Sequence, residues 1–69
     1  MDELIFIVED AAEGGFLARA LGTSIVTQAD DLDALEDAVR DAVLCHFDEG
    51  AERPTVIRLH YVEDRLIAV

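Results

Sequence analysis

Two kinds of apolar spacing divide the chain. Leu4-Ile5-Phe6-Ile7-Val8 is an unbroken run of β-branched and aromatic residues, which predicts a strand. Glu13-Gly14-Gly15 follows as a turn, because glycine adopts positive φ without steric cost. Phe16 to Leu21 reads as a second strand, antiparallel to the first across that short connection. Gly22 marks another turn, and Ser24-Ile25-Val26-Thr27 predicts a third strand. The period then changes. Leu32, Leu35, Val39, Val43 and Phe47 recur at helical spacing, with Asp30 and Asp31 both competent to cap the start and Gly50 suited to the stop. The predicted helix runs from about Asp31 to Asp48. Past Pro54, Thr55 to Val62 alternates, with Ile57, Leu59 and Tyr61 on one side and Arg58 and His60 on the other. Glu63-Asp64-Arg65 reads as a turn, and Leu66 to Val69 either extends the last strand or folds back as a fifth.

The expected order is β-β-β-α-β, an α+β fold in which an antiparallel meander carries one helix on one sheet face, as a single domain over residues 1–69. One helix covers one face only. Yet the first strand is apolar on both, with Leu4, Phe6 and Val8 alternating with Ile5 and Ile7. A patch left bare in this way is unusual on a soluble monomer. Ile5, Ile7 and Val56 are therefore the candidate oligomer interface, and a homo-oligomer or an obligate partner is expected. Cover by the chain's own Leu66–Val69 segment is the alternative.

Charge sharpens that expectation. Sixteen acids and five arginines give 69 residues a net charge of −11. Residues 1–52 hold fourteen acids and two arginines, a net of −12, whereas residues 53–69 hold two acids and three arginines, a net of +1. Such a surface repels phosphate, so direct nucleic-acid binding is not expected, and a basic protein is the natural partner. The bland reading of the same charge is solubility. The size excludes a large cofactor enzyme. Leu, Ile, Val and Phe make up a third of the chain, too many for intrinsic disorder. The lone Cys45 rules out a disulfide framework and fits a reducing cytoplasm, and no apolar run approaches the length of a membrane span.

Candidate chemistry is sparse. Cys45 and His46 are adjacent on a helix and diverge by about 100°, so they do not grip one metal together. His46 falls within the core-facing stripe. No CxxC, HExxH or HxxxH spacing occurs, and Gly14-Gly15 lacks the context of a phosphate-binding loop. Asp30, Asp31 and Asp33 are dense enough to suggest a divalent cation and a metal-dependent hydrolase, but acids at a helix start ordinarily cap it and oppose its dipole. The expectation is no enzyme, no cofactor and no metal. Leu44 stands out, projecting on the polar side of the helix between Asp37, Arg40, Asp41 and Asp48. An apolar anchor ringed by acids suits a small apolar pocket in a basic surface.

Two stretches carry a family resemblance. Glu13-Gly14-Gly15-Phe16-Leu17-Ala18-Arg19-Ala20 resembles the "DGGY.A" opening of the second strand in HicB-family antitoxins. Ile25-Val26-Thr27-Gln28-Ala29-Asp30-Asp31-Leu32-Asp33-Ala34-Leu35 is similar to that family's "CVSQGDTLEEA" passage into its helix. Ala29 and Asp31 depart from the usual glycine and threonine, and the segment between the second and third strands is shorter. The resemblance covers about residues 4–60 and implies a partial ribonuclease-H-like fold in the same β-β-β-α-β order. It implies an antitoxin that neutralises a small basic, RNA-cleaving HicA-like toxin, with Asp33, Asp37, Asp41 and Leu44 as the expected contact residues. No DNA-binding domain follows the helical part, so autoregulatory DNA binding is not carried over, and no spaced set of metal-binding carboxylates supports a nuclease. The stretch Cys45 to Gly50 is also similar to short chains named as a 2-oxoisovalerate dehydrogenase subunit. A chain of this length cannot house a thiamine-diphosphate site, so that assignment is set aside. A stand-alone homo-oligomeric regulatory or assembly module without catalysis is the alternative function.

Overall fold

The computed structural model describes residues 2–47 and 53–69. Strands β1 (Glu3–Asp10), β2 (Phe16–Ala20) and β3 (Val26–Ala29) lead into helix α1 (Leu32–His46), and strand β4 (Val56–Tyr61) follows. The fold is α+β in the order the apolar pattern predicts. The four strands form one sheet in the order β3-β2-β1-β4. β1, β2 and β3 make the antiparallel meander. β4 joins the other side of β1 in parallel, Phe6 opposite Leu59, so the sheet is mixed. A parallel neighbour needs a long crossover, and α1 supplies it by carrying the chain from one edge of the sheet to the other.

Alternation along β1 separates the two faces. Leu4, Phe6 and Val8 are buried with Ala18 and Ala20 of β2 and with Leu35, Val39 and Val43 of α1. Phe6 lies at the centre, fully buried. The predicted third strand is displaced two residues along the chain. Gly22 takes φ +85°, and the Ala20 amide donates to the Ile25 carbonyl at 2.9 Å, so Thr23 and Ser24 serve the turn and pairing begins at Val26. Ile25 is still buried in the core.

Asp31 caps α1. Its extended backbone (φ −140°, ψ 171°) lets Oδ1 accept from the Ala34 amide at 2.7 Å. This satisfies one of the amides a helix start leaves unpartnered. Replacing Asp31 with Ala is expected to cost about 1 kcal/mol, measurable as a lower urea midpoint with an unchanged slope; an unchanged midpoint would show that Asp30 takes over the cap.

The helix ends at His46 with Phe47 as its cap, two residues before Asp48. Asp48 and the expected stop at Gly50 lie outside the described residues. His46 is exposed rather than set in the core stripe, and its ring meets Phe47 edge-on at 4.8 Å. Val43 is the last fully buried residue of the helix, although Phe47 beyond it still packs against the core. Arg53 donates from its guanidinium to the Phe47 carbonyl at 3.1 Å, tying the helix end to the approach of β4.

Glu63-Asp64-Arg65 does not form a turn, and Leu66 to Val69 forms no strand in the single chain. The segment runs out beyond the sheet, with Leu66, Ile67 and Val69 each more than four-fifths exposed. The molecule consequently measures 53 × 19 × 18 Å.

Candidate functional site

Three surfaces meet around α1 and the sheet. The first is the solvent side of the helix. Asp33, Asp37, Asp41 and Leu44 are all exposed, and their spacing sets them on the side opposite Leu35, Val39 and Val43. The row Asp33–Asp41 spans about 12 Å at 1.5 Å per residue. Arg40 stands beside it and donates to Asp37 Oδ1 at 3.0 Å, an exposed i, i+3 pair that relieves part of the carboxylate repulsion. Leu44 closes the row with about half its surface exposed.

The second surface is the sheet face turned away from the helix. The register brings together Ile5 and Ile7 of β1, Leu17 and Arg19 of β2, Val26 of β3, and Val56, Arg58 and His60 of β4. Ile5 and Ile7 are half-buried by their neighbours, whereas Val56 and Val26 are more than half exposed. All three residues expected at the oligomer interface therefore lie on one bare face. Ion pairs frame it. Glu3 accepts from Arg58 at one end, and Glu9 accepts from Arg19 at 3.2 Å at the other. The Arg58 guanidinium holds the Glu3 carboxyl below its ordinary pKa, and Glu3 in return raises that of Arg58.

The third surface was not anticipated from the sequence. The helix leans over β3 and β2 and leaves β4 largely uncovered. Ala38 and Ala42 permit this close approach, since they are small and half-buried on that flank. On the opposite flank a cleft of about 330 Å³ opens, lined by Arg40, Val43 and Leu44 of α1 and by Arg53, Pro54, Thr55 and Ile57. A smaller hollow of about 90 Å³ continues it along Glu36, Val39, Ile57 and Leu59. The alternation of Ile57, Leu59 and Tyr61 signalled an apolar face on β4. The sideways placement of the helix, set by alanines against bulkier residues on its two flanks, decides that this face is open. Leu44 borders both the acidic row and the cleft. At the far end of β4, the Tyr61 ring packs on Phe16 at 5.6 Å and its hydroxyl donates to Asp10 at 3.4 Å. Partial burial, then the nearby Asp10 carboxylate, raises the pKa of that phenol.

Among the described residues no group of three or more His, Cys, Asp and Glu side chains could hold a metal ion. Asp31 and Asp33 act at the helix start, the first as its cap and the second in its first turn. Cys45 is free and exposed. Among the described residues no helix is long and apolar enough to cross a membrane.

Fold and surfaces together define a small, strongly acidic α+β domain with one helix on a mixed four-stranded sheet. Relatives place it more closely. The chain is 56% identical over 54 residues to a UPF0150 protein of Archaeoglobus fulgidus, covering 78% of this chain and 79% of that one. It is 40% identical over 67 residues to a UPF0150 protein of Thermotoga maritima, covering 97% and 93%. The chain belongs to the UPF0150 family. No family model matches it, and no solved structure does.

Proposed function

We propose that this chain is a non-catalytic binding protein of the cytoplasm that neutralises a small basic partner, in the manner of a HicB-like antitoxin opposing an RNA-cleaving HicA-like toxin. The observation that supports this reading is the exposed row Asp33, Asp37 and Asp41, completed by the apolar Leu44. A basic surface built to bind RNA presents regularly spaced cations. Three carboxylates on successive turns of a rigid helix compete with phosphate for those cations, and Leu44 adds a contact that phosphate lacks. Long-range attraction from a chain of net charge −11 speeds the encounter.

The test is binding to a small basic HicA-like protein, sought first among the products of neighbouring genes, read by titration calorimetry and by rescue of growth on co-expression. The double substitution Asp37→Lys and Asp41→Lys is expected to weaken the complex by at least about tenfold and to abolish rescue. Both positions are exposed, so the fold should persist. A complex indifferent to charge reversal and to salt overturns the electrostatic mechanism. The bare face holding Ile5, Ile7 and Val56 favours a second reading, a homo-oligomeric regulatory or assembly module. Under that reading Ile7→Asp disperses the oligomer and no basic partner binds.

A further inference from the structure

The outer edge of β4 and the segment after it are complementary to each other, but not within one molecule. Val56 and Val62 donate their amides inward to β1, to the carbonyls of Asp2 at 3.0 Å and Val8 at 2.8 Å. Strand geometry then turns the N–H and C=O groups of Ile57, Leu59 and Tyr61 outward. Nothing among the described residues pairs with that edge. Beyond Tyr61 the chain continues as Val62-Glu63-Asp64-Arg65-Leu66-Ile67-Ala68-Val69, extended and unsupported, with Leu66 98% and Ile67 81% exposed.

We infer that this segment of one copy pairs antiparallel with the β4 edge of a second copy, and reciprocally, so that Ile67 and Val69 fill the partner's cleft between α1 and β4. The occupant follows from three observations. Charge is the first. Residues 53–69 carry a net of +1 and residues 1–52 a net of −12, so two copies can approach through β4 and its extension with little of the repulsion that opposes every other approach. Register is the second. A two-fold axis through Val62 sets Ile67 opposite Ile57 and Val69 opposite Thr55, and both Ile57 and Thr55 line the cleft. The same register puts Arg65 opposite Leu59, in the hollow that Glu36 borders, and Asp64 opposite His60. The third is backbone parity. Residues 57, 59 and 61 meet residues 67, 65 and 63, so outward-facing groups meet outward-facing groups. Pairing stops at Thr55, because Pro54 has no amide to donate. The contact is isologous and closes on itself, giving a dimer with one continuous eight-stranded sheet.

Light scattering on the full chain is expected to give twice the 7.6 kDa of one chain. Ile67→Asp should reduce this to a single-chain mass while the chain keeps a cooperative urea transition, since Ile67 is 81% exposed in the single chain. Val62→Cys in a Cys45→Ser background should form an intermolecular disulfide under mild oxidation, because a central non-hydrogen-bonded pair brings the two Cα atoms to about 4.5 Å. A monomeric full chain overturns the inference, including the case in which the segment folds back on its own β4. So does a dimer that survives Ile67→Asp but is dispersed by Ile7→Asp, which would assign the interface to the bare face. Charge reversal at Asp37 and Asp41 leaves this dimer intact, so its failure and that of the proposed partner binding are read separately.

Discussion

Phe6→Ala is expected to leave the chain unfolded at 25 °C. Phe6 is fully buried at the middle of the central strand, with Leu4 and Val8 beside it and Leu35 and Val39 among its core neighbours. Truncating such a ring costs about 3–5 kcal/mol through lost transfer energy and the cavity left behind. A single core in a domain of this size rarely supplies more than about 3–5 kcal/mol in total. The loss therefore matches the whole stability. Circular dichroism should show a disordered chain, and urea titration no cooperative transition. Ile7→Ala is the matched control. It lies on the same strand but on the bare face, half-buried, and should lose far less while retaining a cooperative transition. If the two variants unfold at similar urea concentrations, the asymmetry between the sheet faces described above is wrong. A Phe6→Ala chain that folds only at high concentration would instead show self-association supplying the missing stability.

Elements whose signal is local were legible in the sequence. The apolar run of β1, the spacing of Leu35, Val39 and Val43 and the cap at Asp31 each depend on near neighbours, and each stands where the sequence puts it. The bare face was legible for the same reason, because an alternating core strand that is apolar on both sides must expose one of them. Pairing between distant segments was not. The third strand was displaced because Gln28 and Ala29 have no strand character of their own; they are held by lying opposite Leu17 and Phe16. The parallel attachment of β4 to β1 follows from the crossover through α1, which no residue of β4 announces.

The candidate surfaces divide along the same line. Asp33, Asp37, Asp41 and Leu44 fall on one helix side by arithmetic alone, so the acidic row could be drawn in advance. The cleft could not, since it exists only because the helix leans toward β3 and away from β4. That lean rests on packing between α1 and a strand whose own register was not local. His46 illustrates the limit of a helical wheel. Its angle is that of a core residue, yet it stays exposed while the next residue, Phe47, packs against the core, so angle alone does not decide burial at a helix end.

Gly15→Ala is expected to be among the most damaging single substitutions outside the core, at about 3 kcal/mol, from two independent costs. Gly15 sits at φ +77°, in the left-handed region, where a Cβ adds about 1–2 kcal/mol. A Cβ there would also overlap the Ala29 carbonyl oxygen and lie 3.1 Å from the Asp30 Cα. Neither is the end of a flexible side chain; both belong to the backbone that closes β3 and delivers Asp31 to its capping position. Forcing them apart is overpacking, worth about a further 1–3 kcal/mol. Gly14→Ala separates the two costs. Its φ of +102° is also unfavourable for alanine, but the added carbon meets nothing within 4 Å. Urea midpoints for the pair should therefore differ, with Gly15→Ala the lower. The Gly15 variant alone should lose amide-exchange protection along the β2–β3 ladder, where Phe16 faces Ala29. Equal midpoints would mean that the β3–α1 junction yields without cost. In that case the acidic row of α1, whose position is set from that junction, would be carried on a movable base rather than a rigid one.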